Sequence, residues 1–425
     1  MLQRVYATSF STKSELSEHL ERLKEAEKRD HRKIGQKLEL FEIFSQTAGS
    51  GLVFWLPQGK KLLNSLKDWS RDMHESNGYK EIETPHIIHT NLWSKSGHLT
   101  NFKDFMFICP DEDGGSGVGV KPMNCPGHML VYSRKRRSYK ELPLRFMEFG
   151  TVYRNEKAGT MHGLFRVKGF TQDDAHIFCT FEQLEDEILS VLNFSEKILE
   201  KFGFKWKLFL KGRPEKSIGS DEAWDKAENS LKAAISKAGI DAEYIPGDGA
   251  FYGPKIDFEI EDALGRHWQC TTIQIDFNLP ERFDLKYVNS NDEEEVPVLI
   301  HRAIFGSMER FIGILIEHYA GNFPFWLSPN QAIIIPISEK HFDYGKDLLN
   351  ELKNSGFRAS LDDRNEKVGK KIRDAELNKI PYMFVVGDRE VESSSVSVRH
   401  RDNGDCGTMT KEDLMKKLSE EGSSN

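Results

Sequence analysis

The chain has 425 residues, of which 38% are hydrophobic and 30% are charged, and its formal net charge is -8. This length allows about two or three domains with their own cores, and no apolar run approaches the roughly 18 residues that a membrane span requires. Taken alone, the acidic balance argues against a nucleic-acid partner, because proteins that bind polyanions usually carry a basic surface.

The cysteines and the amino terminus bear on the cellular compartment. Five cysteines are scattered along the chain without a C-x-x-C pair, which argues against a disulfide framework. The first residues lack the apolar core of a signal peptide and the Arg- and Ser-rich character of a transit peptide. We therefore expect reduced thiols and a cytoplasmic location.

The amino-terminal part contains a predicted helix, a helix followed by a strand, and a turn. Residues 11–40 are charged, with three leucines at helical spacing behind a Ser or Thr that can cap a helix. In residues 51–83 an apolar helical pattern ends at Gly78, and a strand edge follows at residues 82–85. The glycine-rich residues 111–119 lack the Lys and the helix start of a phosphate-binding loop, so we predict a hairpin turn there.

In residues 142–319, strand-like and helical patterns occur in separate blocks of the sequence. Two strand-like runs, Leu144–Tyr153 and residues 164–170, flank a polar loop, so we predict an antiparallel pair. The next patterns are helix 182–201, helix 223–238, strand 255–260, strand 267–277 and helix 307–319. This order fits an antiparallel α+β sheet better than a doubly wound one.

Strands and helices alternate after residue 325. The pattern is strand 332–337, helix 341–353, strand 358–361, helix 368–378 and strand 382–386, which is typical of a smaller α/β domain. We therefore predict a lead-in helix and linker at residues 1–40, an α+β domain at residues 41–325 and an α/β domain at residues 326–425.

Two basic clusters lie inside the acidic chain. Residues 134–137 are four consecutive cations, and a second group holds Lys367, Lys370, Lys371 and Arg373. They offer local contacts for a polyanion. On the residues alone, each cluster is most simply a solvated helix face.

Residues 149–156 carry Arg154 and Glu156, and Phe170 follows after a loop. A site that transfers an adenylate needs a cation at the α-phosphate, an acceptor for the adenine amino group and an aromatic face under the ring. An isolated Arg-x-Glu is more often a surface ion pair. The whole run resembles motif 2 of the class II aminoacyl-tRNA synthetases, which implies that Arg154 binds the α-phosphate, Glu156 the adenine and Arg166 the far phosphates. Phe170 would then lie under the adenine ring.

Two further segments resemble the other motifs of this class. Residues 306–313 open a predicted helix with GSMERFIG, and a helix amino terminus favours anions. The resemblance to motif 3 implies that Arg310 binds the γ-phosphate, whereas alone the segment is an ordinary helix start with a capping Ser. Residues 78–85 resemble motif 1, which implies a homodimer formed through this region.

Three potential metal ligands, Cys125, His176 and His301, are far apart in the sequence. Taken singly, the cysteine is more often a buried thiol and each histidine a core residue. The phrases around all three resemble those of the threonyl-tRNA synthetases, which implies one Zn2+ per subunit with one tetrahedral position left open. His128 is a rival ligand.

A zinc ion would explain how the site distinguishes threonine from valine. An apolar pocket separates threonine from valine by only about 10², whereas a metal that takes both the amino nitrogen and the hydroxyl rejects valine. Serine keeps both groups, so we expect errors with serine. By the family pattern Asp174 accepts the hydroxyl hydrogen bond. The same pattern assigns Gln172, Tyr252, Lys255 and Gln274 to the threonine site, and Gln269 and Thr272 to the ATP side.

The implied reaction has two steps. The threonine carboxylate attacks the α-phosphate of ATP bound with Mg2+, and Arg154 stabilises the developing charge. The terminal ribose hydroxyl of tRNA then attacks the adenylate, and by resemblance His98 helps to move a proton. The alternative for His98 is an ordinary surface-loop histidine.

The carboxy-terminal domain resembles the anticodon-binding domain of several class II enzymes, and residues 363–369 fit the threonyl form. The resemblance implies that Asn365, Glu390 and Arg399 hydrogen bond unstacked anticodon bases. Lys379 stands where the family commonly has Arg, so a compact ammonium group replaces a planar guanidinium that could form two parallel hydrogen bonds. A generic α/β interaction module is the alternative.

The resemblance covers essentially the whole chain and implies a threonine–tRNA ligase whose partners are threonine, ATP and threonine tRNA. The chain begins close to where the family's catalytic core begins, without the editing domain of longer members, so it is either a natural short form or an excised fragment. A sister enzyme for proline or another amino acid would not need the three metal ligands. A synthetase-like binding protein without chemistry would usually have lost Arg154 or Arg310, and both are present.

Overall fold

The computed structural model describes residue 5 and residues 7–111, 117–157, 159–250 and 252–422. Its contacts divide the chain into two compact units. The central unit comprises Ile43–Phe54 and Leu66–Gly313, and the terminal unit comprises Met1–Glu42, Trp55–Ser65 and Ile314–Asn425. Among the helices that the structure describes, none combines the length and the apolar character of a membrane span.

The helices begin and end close to the signals in the sequence. The first helix starts behind Thr12, whose hydroxyl accepts the Glu15 amide while the Glu15 carboxylate accepts the Thr12 amide, which is a capping box. The third helix ends before Gly78, which has a φ of 76°. The helices are α1 Lys13–Arg29, α2 His31–Lys37, α3 Pro57–Ser76, α4 Thr90–Lys95, α5 His98–Asn101, α6 Cys125–Ser133, α7 Leu184–Lys201, α8 Asp221–Ala238, α9 Asn278–Arg282, α10 Met308–His318, α11 Phe342–Asn354, α12 Val368–Leu377, α13 Asp388–Glu392 and α14 Lys411–Gly422.

The strands include several that the sequence patterns did not predict. The strands are β1 Phe41–Glu42, β2 Phe54–Trp55, β3 Lys80–Glu81, β4 Ile87–His89, β5 Ile108–Cys109, β6 Val118–Val120, β7 Leu144–Tyr153, β8 Gly169–Cys179, β9 Lys205–Lys211, β10 Ala242–Ile245, β11 Lys255–Glu261, β12 His267–Asp276, β13 Tyr287–Val288, β14 Glu294–Glu295, β15 Val298–Ala303, β16 Ala332–Pro336, β17 Ala359–Leu361, β18 Tyr382–Val386, β19 Ser395–His400 and β20 Gly404–Thr410. Neither β9 nor β15 was predicted.

The central unit is built on an eight-stranded sheet with the order β10-β9-β11-β12-β15-β8-β7-β3. Neighbouring strands from β9 to β7 are antiparallel, whereas the outer pairs β10–β9 and β7–β3 are parallel. This confirms the predicted antiparallel α+β fold. Of the predicted hairpin turn at 111–119, residues 112–116 lie outside the described part of the chain; β5 and β6, on either side, pair antiparallel.

The core of the central unit fixes the start of α6. Met129 and Tyr132 of this helix are buried against Phe178 and Leu299 of the sheet, and the Tyr132 and Phe178 rings stack with centroids 4.4 Å apart. Burying each large apolar side chain stabilises the fold by about 1.5–3 kcal/mol. The helix therefore has a fixed position, and so does its first residue, Cys125.

The terminal unit contains a five-stranded sheet with the order β17-β16-β18-β19-β20. The pairs of β16 with β17 and β18 are parallel, and the pairs of β19 with β18 and β20 are antiparallel. Leu348 and Leu352 of α11 pack with Ile334 and Phe384 of the sheet. This confirms the smaller α/β fold that the alternating pattern predicted.

One strand lies elsewhere than predicted. The partner of β7 is Gly169–Cys179, so the prediction of a strand at residues 164–170 was wrong. Leu164 and Phe165 are buried, but outside the sheet: a Cβ on Gly313 of α10 would lie 2.9 Å from the Phe165 ring. These apolar side chains pack beside helix α10. Strand β8 was not recognised because polar residues occupy one of its faces, so it lacks the apolar pattern of a buried strand.

Candidate active site

The register of the central sheet aligns residues from five strands in one row. Phe146 on β7 lies opposite His176 on β8, which lies opposite His301 on β15. The row continues through Gln274 on β12 to Lys255 on β11. Opposed residues on neighbouring antiparallel strands have side chains on the same face of the sheet. Folding therefore brings residues from distant segments side by side.

Alternation along β8 gives this face its polar character. Phe170, Gln172, Asp174 and His176 are each two residues apart in the strand, so their side chains share one face. All four line a cavity of about 620 Å³. One face of β8 thus lines a cavity of the size that binds small molecules.

The cavity collects almost all the residues that the sequence assigned to ATP, threonine or metal. Lys255 is the exception, because it is absent from the lining and its Nζ lies 3.1 Å from Asp257 Oδ2. The candidates that line the cavity are Cys125, Arg154, Glu156, Arg166, Phe170, Gln172, Asp174, His176, Tyr252, Gln269, Thr272, Gln274, His301 and Arg310.

Cys125, His176 and His301 form a compact group within this cavity. Their potential ligand atoms, one thiol sulfur and two imidazole nitrogens, all lie within 4.8 Å of one another. The three residues belong to α6, β8 and β15, respectively. Because these segments are distant in the sequence, the group exists only in the folded chain.

The surroundings of the group favour neutral side chains in the metal-free protein. Burial lowers the pKa of His176 well below its usual value, so the ring is a neutral imidazole. Burial, with the charges of Asp174 and Asp276, raises the pKa of the Cys125 thiol. His301 Nε2 lies 3.0 Å from Asp276 Oδ2, which leaves Nδ1 as the nitrogen with ligand capacity.

Two arginines of the cavity are held in place by the backbone. Arg154 Nε donates to the Pro122 carbonyl oxygen at 3.2 Å, and its guanidinium lies over the Phe170 ring, 5.1 Å from the centroid. Arg310 Nε donates to the Phe165 carbonyl oxygen at 3.1 Å. A guanidinium carries several N–H donors in a fixed plane, so both arginines are oriented to meet an anion.

Glu156 and Arg166, both assigned to ATP by the sequence, contact each other. Arg166 Nη2 lies 2.8 Å from Glu156 Oε2. The Arg166 side chain is 52% exposed and the Glu156 side chain is 15% exposed, and both residues line the cavity. Both groups are therefore available to a ligand that enters the cavity.

Asp174 is held by a residue that the sequence did not single out. Asn124 Nδ2 donates to Asp174 Oδ2 at 3.0 Å. Burial raises the pKa of Asp174, although this hydrogen bond favours the ionised form. A contact between a loop and a strand has no fixed sequence spacing, so no local signal identifies Asn124.

Strand β12 supplies another wall of the cavity. Gln274 Oε1 accepts the Tyr252 hydroxyl at 3.0 Å, and Gln269 Nε2 donates to Thr272 Oγ1 at 3.0 Å. Asp276, the partner of His301, was also missed by the sequence reasoning. It follows Gln274 by two residues, so strand alternation could have placed it on the same face.

His98 lines a smaller cavity of about 100 Å³, which shares Cys125, Tyr252 and His301 with the larger one. Its Nδ1 lies 2.7 Å from Ser96 Oγ. Burial, reinforced by nearby positive charge, lowers the pKa of His98 to about 4. The ring is therefore neutral near pH 7 and has a nitrogen that can accept a proton.

The four anticodon candidates lie in the terminal unit. Asn365 is exposed, and Glu390 Oε2 accepts the Gly387 amide at 2.9 Å. Arg399 is half-buried on β19, and its Nε has no hydrogen-bond partner among the described residues. Lys379 has a φ of 61°, and burial lowers its pKa. Arg399 is thus the candidate with a donor that no described residue satisfies.

Two family models match the chain. The model described as tRNA synthetase class II core domain (G, H, P, S and T) matches residues 105–319, and the model described as anticodon binding domain matches residues 331–421. The first match includes the antiparallel sheet and the cavity. Fold and site together therefore identify the chain as a member of the class II aminoacyl-tRNA synthetases.

Comparison with individual proteins indicates which family within this class the chain resembles. The threonine–tRNA ligase of Acetivibrio thermocellus is 51% identical over 420 residues, which cover 99% of this chain and 66% of the relative. That of Natranaerobius thermophilus is 50% identical over 418 residues, covering 98% and 65%. A crystal structure described as the RNA binding domain of threonyl-tRNA synthetase from Cryptosporidium parvum has a TM-score of 0.88 and 44% identity, covering 93% of this chain and 98% of that one.

The chain belongs to the threonyl-tRNA synthetase family, which confirms the resemblance seen in its motifs. It spans about two thirds of the length of the curated relatives, 66% and 65% in the two cases above.

Proposed function

We propose that the chain is a threonine–tRNA ligase, which forms threonyl-adenylate from threonine and ATP and transfers threonine to the 3′-terminal adenosine of threonine tRNA. One observation supports threonine above other amino acids. The fold gathers Cys125, His176 and His301 within 4.8 Å of one another, in the cavity that also holds the three arginines proposed for ATP.

A zinc ion fits the donor set of these three residues. A thiol sulfur and two imidazole nitrogens are ligands that Zn2+ prefers, and a site with three protein ligands keeps a position for substrate. Burial keeps His176 neutral, as a ligand must be. When bound, the ion would supply a Lewis acid for the amino and hydroxyl groups of threonine. We propose one Zn2+ per subunit.

The neighbouring side chains would orient threonine. Asp174, held by Asn124, would accept the hydroxyl hydrogen bond. Gln172, Tyr252 and Gln274 line the same cavity and would position the amino acid. Family resemblance alone supports Lys255, since it does not line the cavity.

The arginines would bind ATP, which carries Mg2+. Arg154 would stabilise the charge that develops at the α-phosphate, because its guanidinium is oriented before substrate arrives. Arg310 would bind the γ-phosphate and Arg166 the far phosphates, while Glu156 and Phe170 would bind adenine. Gln269 and Thr272 would complete the ATP side.

Transfer requires a proton acceptor and a docked tRNA. The neutral ring of His98 would accept the proton of the terminal ribose hydroxyl. In the terminal unit, Asn365, Lys379, Glu390 and Arg399 would contact the anticodon. We also propose a homodimer through residues 78–85 and keep the predicted domain limits at residues 40 and 325.

The amino-acid specificity tests this proposal. ATP–pyrophosphate exchange by the purified protein is measured with each of the protein amino acids in turn. Threonine should exceed valine by more than about 10², the limit of an apolar pocket, and serine should be the strongest competitor because it lacks only a methyl group. Exchange with proline in place of threonine would show a sister enzyme, and exchange with no amino acid would exclude the ligase.

A further inference from the structure

A line of buried polar side chains lies behind His176, and nothing in the proposed reaction uses it. Thr84, Lys121, His128 and Glu148 are 3%, 0%, 0% and 2% exposed, respectively. An ammonium group and a carboxylate buried this deeply each cost several kcal/mol in lost hydration unless they are paired and hydrogen bonded. Such a group calls for an explanation beyond the packing of a core.

The two buried charged groups, the Lys121 ammonium and the Glu148 carboxylate, are paired with each other and hydrogen bonded to Thr84. Lys121 Nζ lies 2.8 Å from Glu148 Oε1, and it also donates to the carbonyl oxygen of Thr84 at 3.2 Å and to the hydroxyl of Thr84 at 2.9 Å. Glu148 accepts the Thr84 amide at 3.0 Å and the Thr84 hydroxyl at 2.9 Å. Burial would raise the pKa of Glu148, but hydrogen bonds from His128 and Lys121 dominate and lower it to about 2. Glu148 is thus a carboxylate, which can only accept hydrogen bonds.

Two imidazoles connect this carboxylate to the proposed metal site. His128 Nε2 lies 3.1 Å from Glu148 Oε2, and His128 Nδ1 lies 3.0 Å from His176 Nδ1. Because Glu148 only accepts, His128 Nε2 must carry the proton and donate. In a His128 ring that carries one proton, on Nε2, the Nδ1 atom is the acceptor. His176 Nδ1 must then donate, which leaves the lone pair of His176 on Nε2.

We infer that Glu148 and His128 are positioning residues that fix His176 in the Nδ1–H tautomer, with Nε2 as its metal-binding atom. Lys121 and Thr84 hold Glu148 in place for this role. The inference rests on the metal site proposed above. It also gives His128 a different task from that of a rival ligand.

The second histidine of the site has a comparable arrangement. His301 Nε2 contacts Asp276 Oδ2 directly at 3.0 Å, and Asp276 Oδ1 accepts the amides of Asn278 and Leu279. Metal-binding histidines usually bond a carboxylate or carbonyl through their second nitrogen, which fixes the ring and its tautomer. Here one ring meets its carboxylate directly and the other through an intervening imidazole.

The tautomers can be measured in the native protein. Long-range ¹H–¹⁵N spectra of protein labelled with ¹⁵N-histidine distinguish protonated from unprotonated ring nitrogens, with and without added Zn2+. We expect His128 to be protonated at Nε2 and His176 at Nδ1 in both samples, with assignments from single-histidine variants. A proton on His176 Nε2 or on His128 Nδ1 would overturn the inference.

Zinc affinity gives the second test. The dissociation constant for Zn2+ is measured by competition with a chromophoric chelator for Glu148→Gln and for the matched pair His128→Leu and His128→Gln. Loss of such supporting contacts typically weakens metal binding about 10- to 100-fold, which we expect for Glu148→Gln and His128→Leu. His128→Gln should retain affinity, because its amide can donate to Glu148 and accept from His176. Native affinity in His128→Leu or Glu148→Gln would contradict the positioning role.

His176→Ala separates this inference from the proposed function. If His176→Ala binds Zn2+ as tightly as the native chain, the proposed metal site itself is wrong. If it loses Zn2+ while Glu148→Gln and His128→Leu keep native affinity, the metal site stands and only the positioning role fails.

Discussion

Arg310 lies in the first turn of α10, where its charge adds to the positive end of the helix dipole. Its amide donates to Ser307 Oγ at 3.2 Å, and its Nε donates to the Phe165 carbonyl oxygen at 3.1 Å. The guanidinium is therefore already oriented for the phosphate that we propose it binds. An oriented charge stabilises a phosphate without the cost of rearrangement at the moment of reaction.

Replacement of Arg310 by alanine should chiefly damage adenylate formation. A hydrogen bond to a charged group contributes about 1.5–3 kcal/mol, so kcat/KM for ATP in the exchange reaction should fall about 10- to 100-fold. Steady-state pyrophosphate exchange measures this effect. Arg136→Ala, which removes an exposed positive charge from the same unit, should leave the reaction unchanged. Normal exchange by Arg310→Ala would remove its role at the γ-phosphate.

At this scale the sequence identified residues with a motif and missed those defined only by contact. Arg154, Glu156 and Arg310 stand in recognisable runs, and all three line the cavity. Asn124 and Asp276 contact site residues across loops and strands. The contact of Asn124 has no fixed spacing in the sequence, whereas strand alternation from Gln274 could have indicated the face of Asp276.

Strand β7 approaches the site so closely that one position has no room for a side chain. A Cβ on Gly150 would lie 2.4 Å from the amide atoms of Asn124, the residue that donates to Asp174. The clash involves the end of a side chain, so the fold can survive while the amide moves. Gly150 therefore allows the contact that holds Asp174.

Gly150→Ala should weaken threonine binding without a matching effect on ATP. Displacement of Asn124 removes a hydrogen bond worth about 0.5–1.5 kcal/mol, so KM for threonine should rise roughly two- to tenfold. Exchange assays that vary threonine and ATP separately give the two constants. Gly369→Ala is a suitable control, because a Cβ there meets nothing within 4 Å. Equal effects on both substrates would show a general disturbance and contradict the local account.

At the scale of elements, several helix ends were predicted well, but the lead-in helix predicted at residues 11–40 is divided into α1 Lys13–Arg29 and α2 His31–Lys37. Two strands of the site were not predicted correctly. Caps such as Thr12 and stops such as Gly78 act locally, so their signals are visible in the sequence. Strand β8 was misplaced because its cavity face carries Gln172, Asp174 and His176 in place of apolar residues. Strand β15, which carries His301, was not predicted at all, although all six of its positions are buried or half-buried.

The whole chain is acidic, yet its family acts on tRNA. The net charge of -8 would argue against a polyanion partner if charge were uniformly distributed. Contact with tRNA depends on local groups, and in the terminal unit Arg399 has an Nε without a hydrogen-bond partner among the described residues. Overall composition is therefore a poor guide to the partner that we propose.

Arg399→Ala should separate tRNA charging from threonine activation. Loss of a side-chain contact with a base costs about 1–3 kcal/mol, so kcat/KM for tRNA should fall about tenfold or more. Exchange without tRNA should stay at the native rate, because the residues proposed for adenylate formation all belong to the central unit. Lys353→Ala, an exposed charge loss in the terminal unit, should change neither assay. Unaltered charging by Arg399→Ala would exclude it from the anticodon contact.

Metal content and ligand type test the central claim most directly. Purified protein is analysed for zinc, and its zinc K-edge X-ray absorption is compared with that of His176→Ala and of the exposed control His267→Ala. We predict one zinc per chain, coordinated by one sulfur and at least two imidazole nitrogens, with zinc lost in His176→Ala and retained in His267→Ala. A native protein without stoichiometric zinc, or with zinc that has no sulfur ligand, would contradict the account.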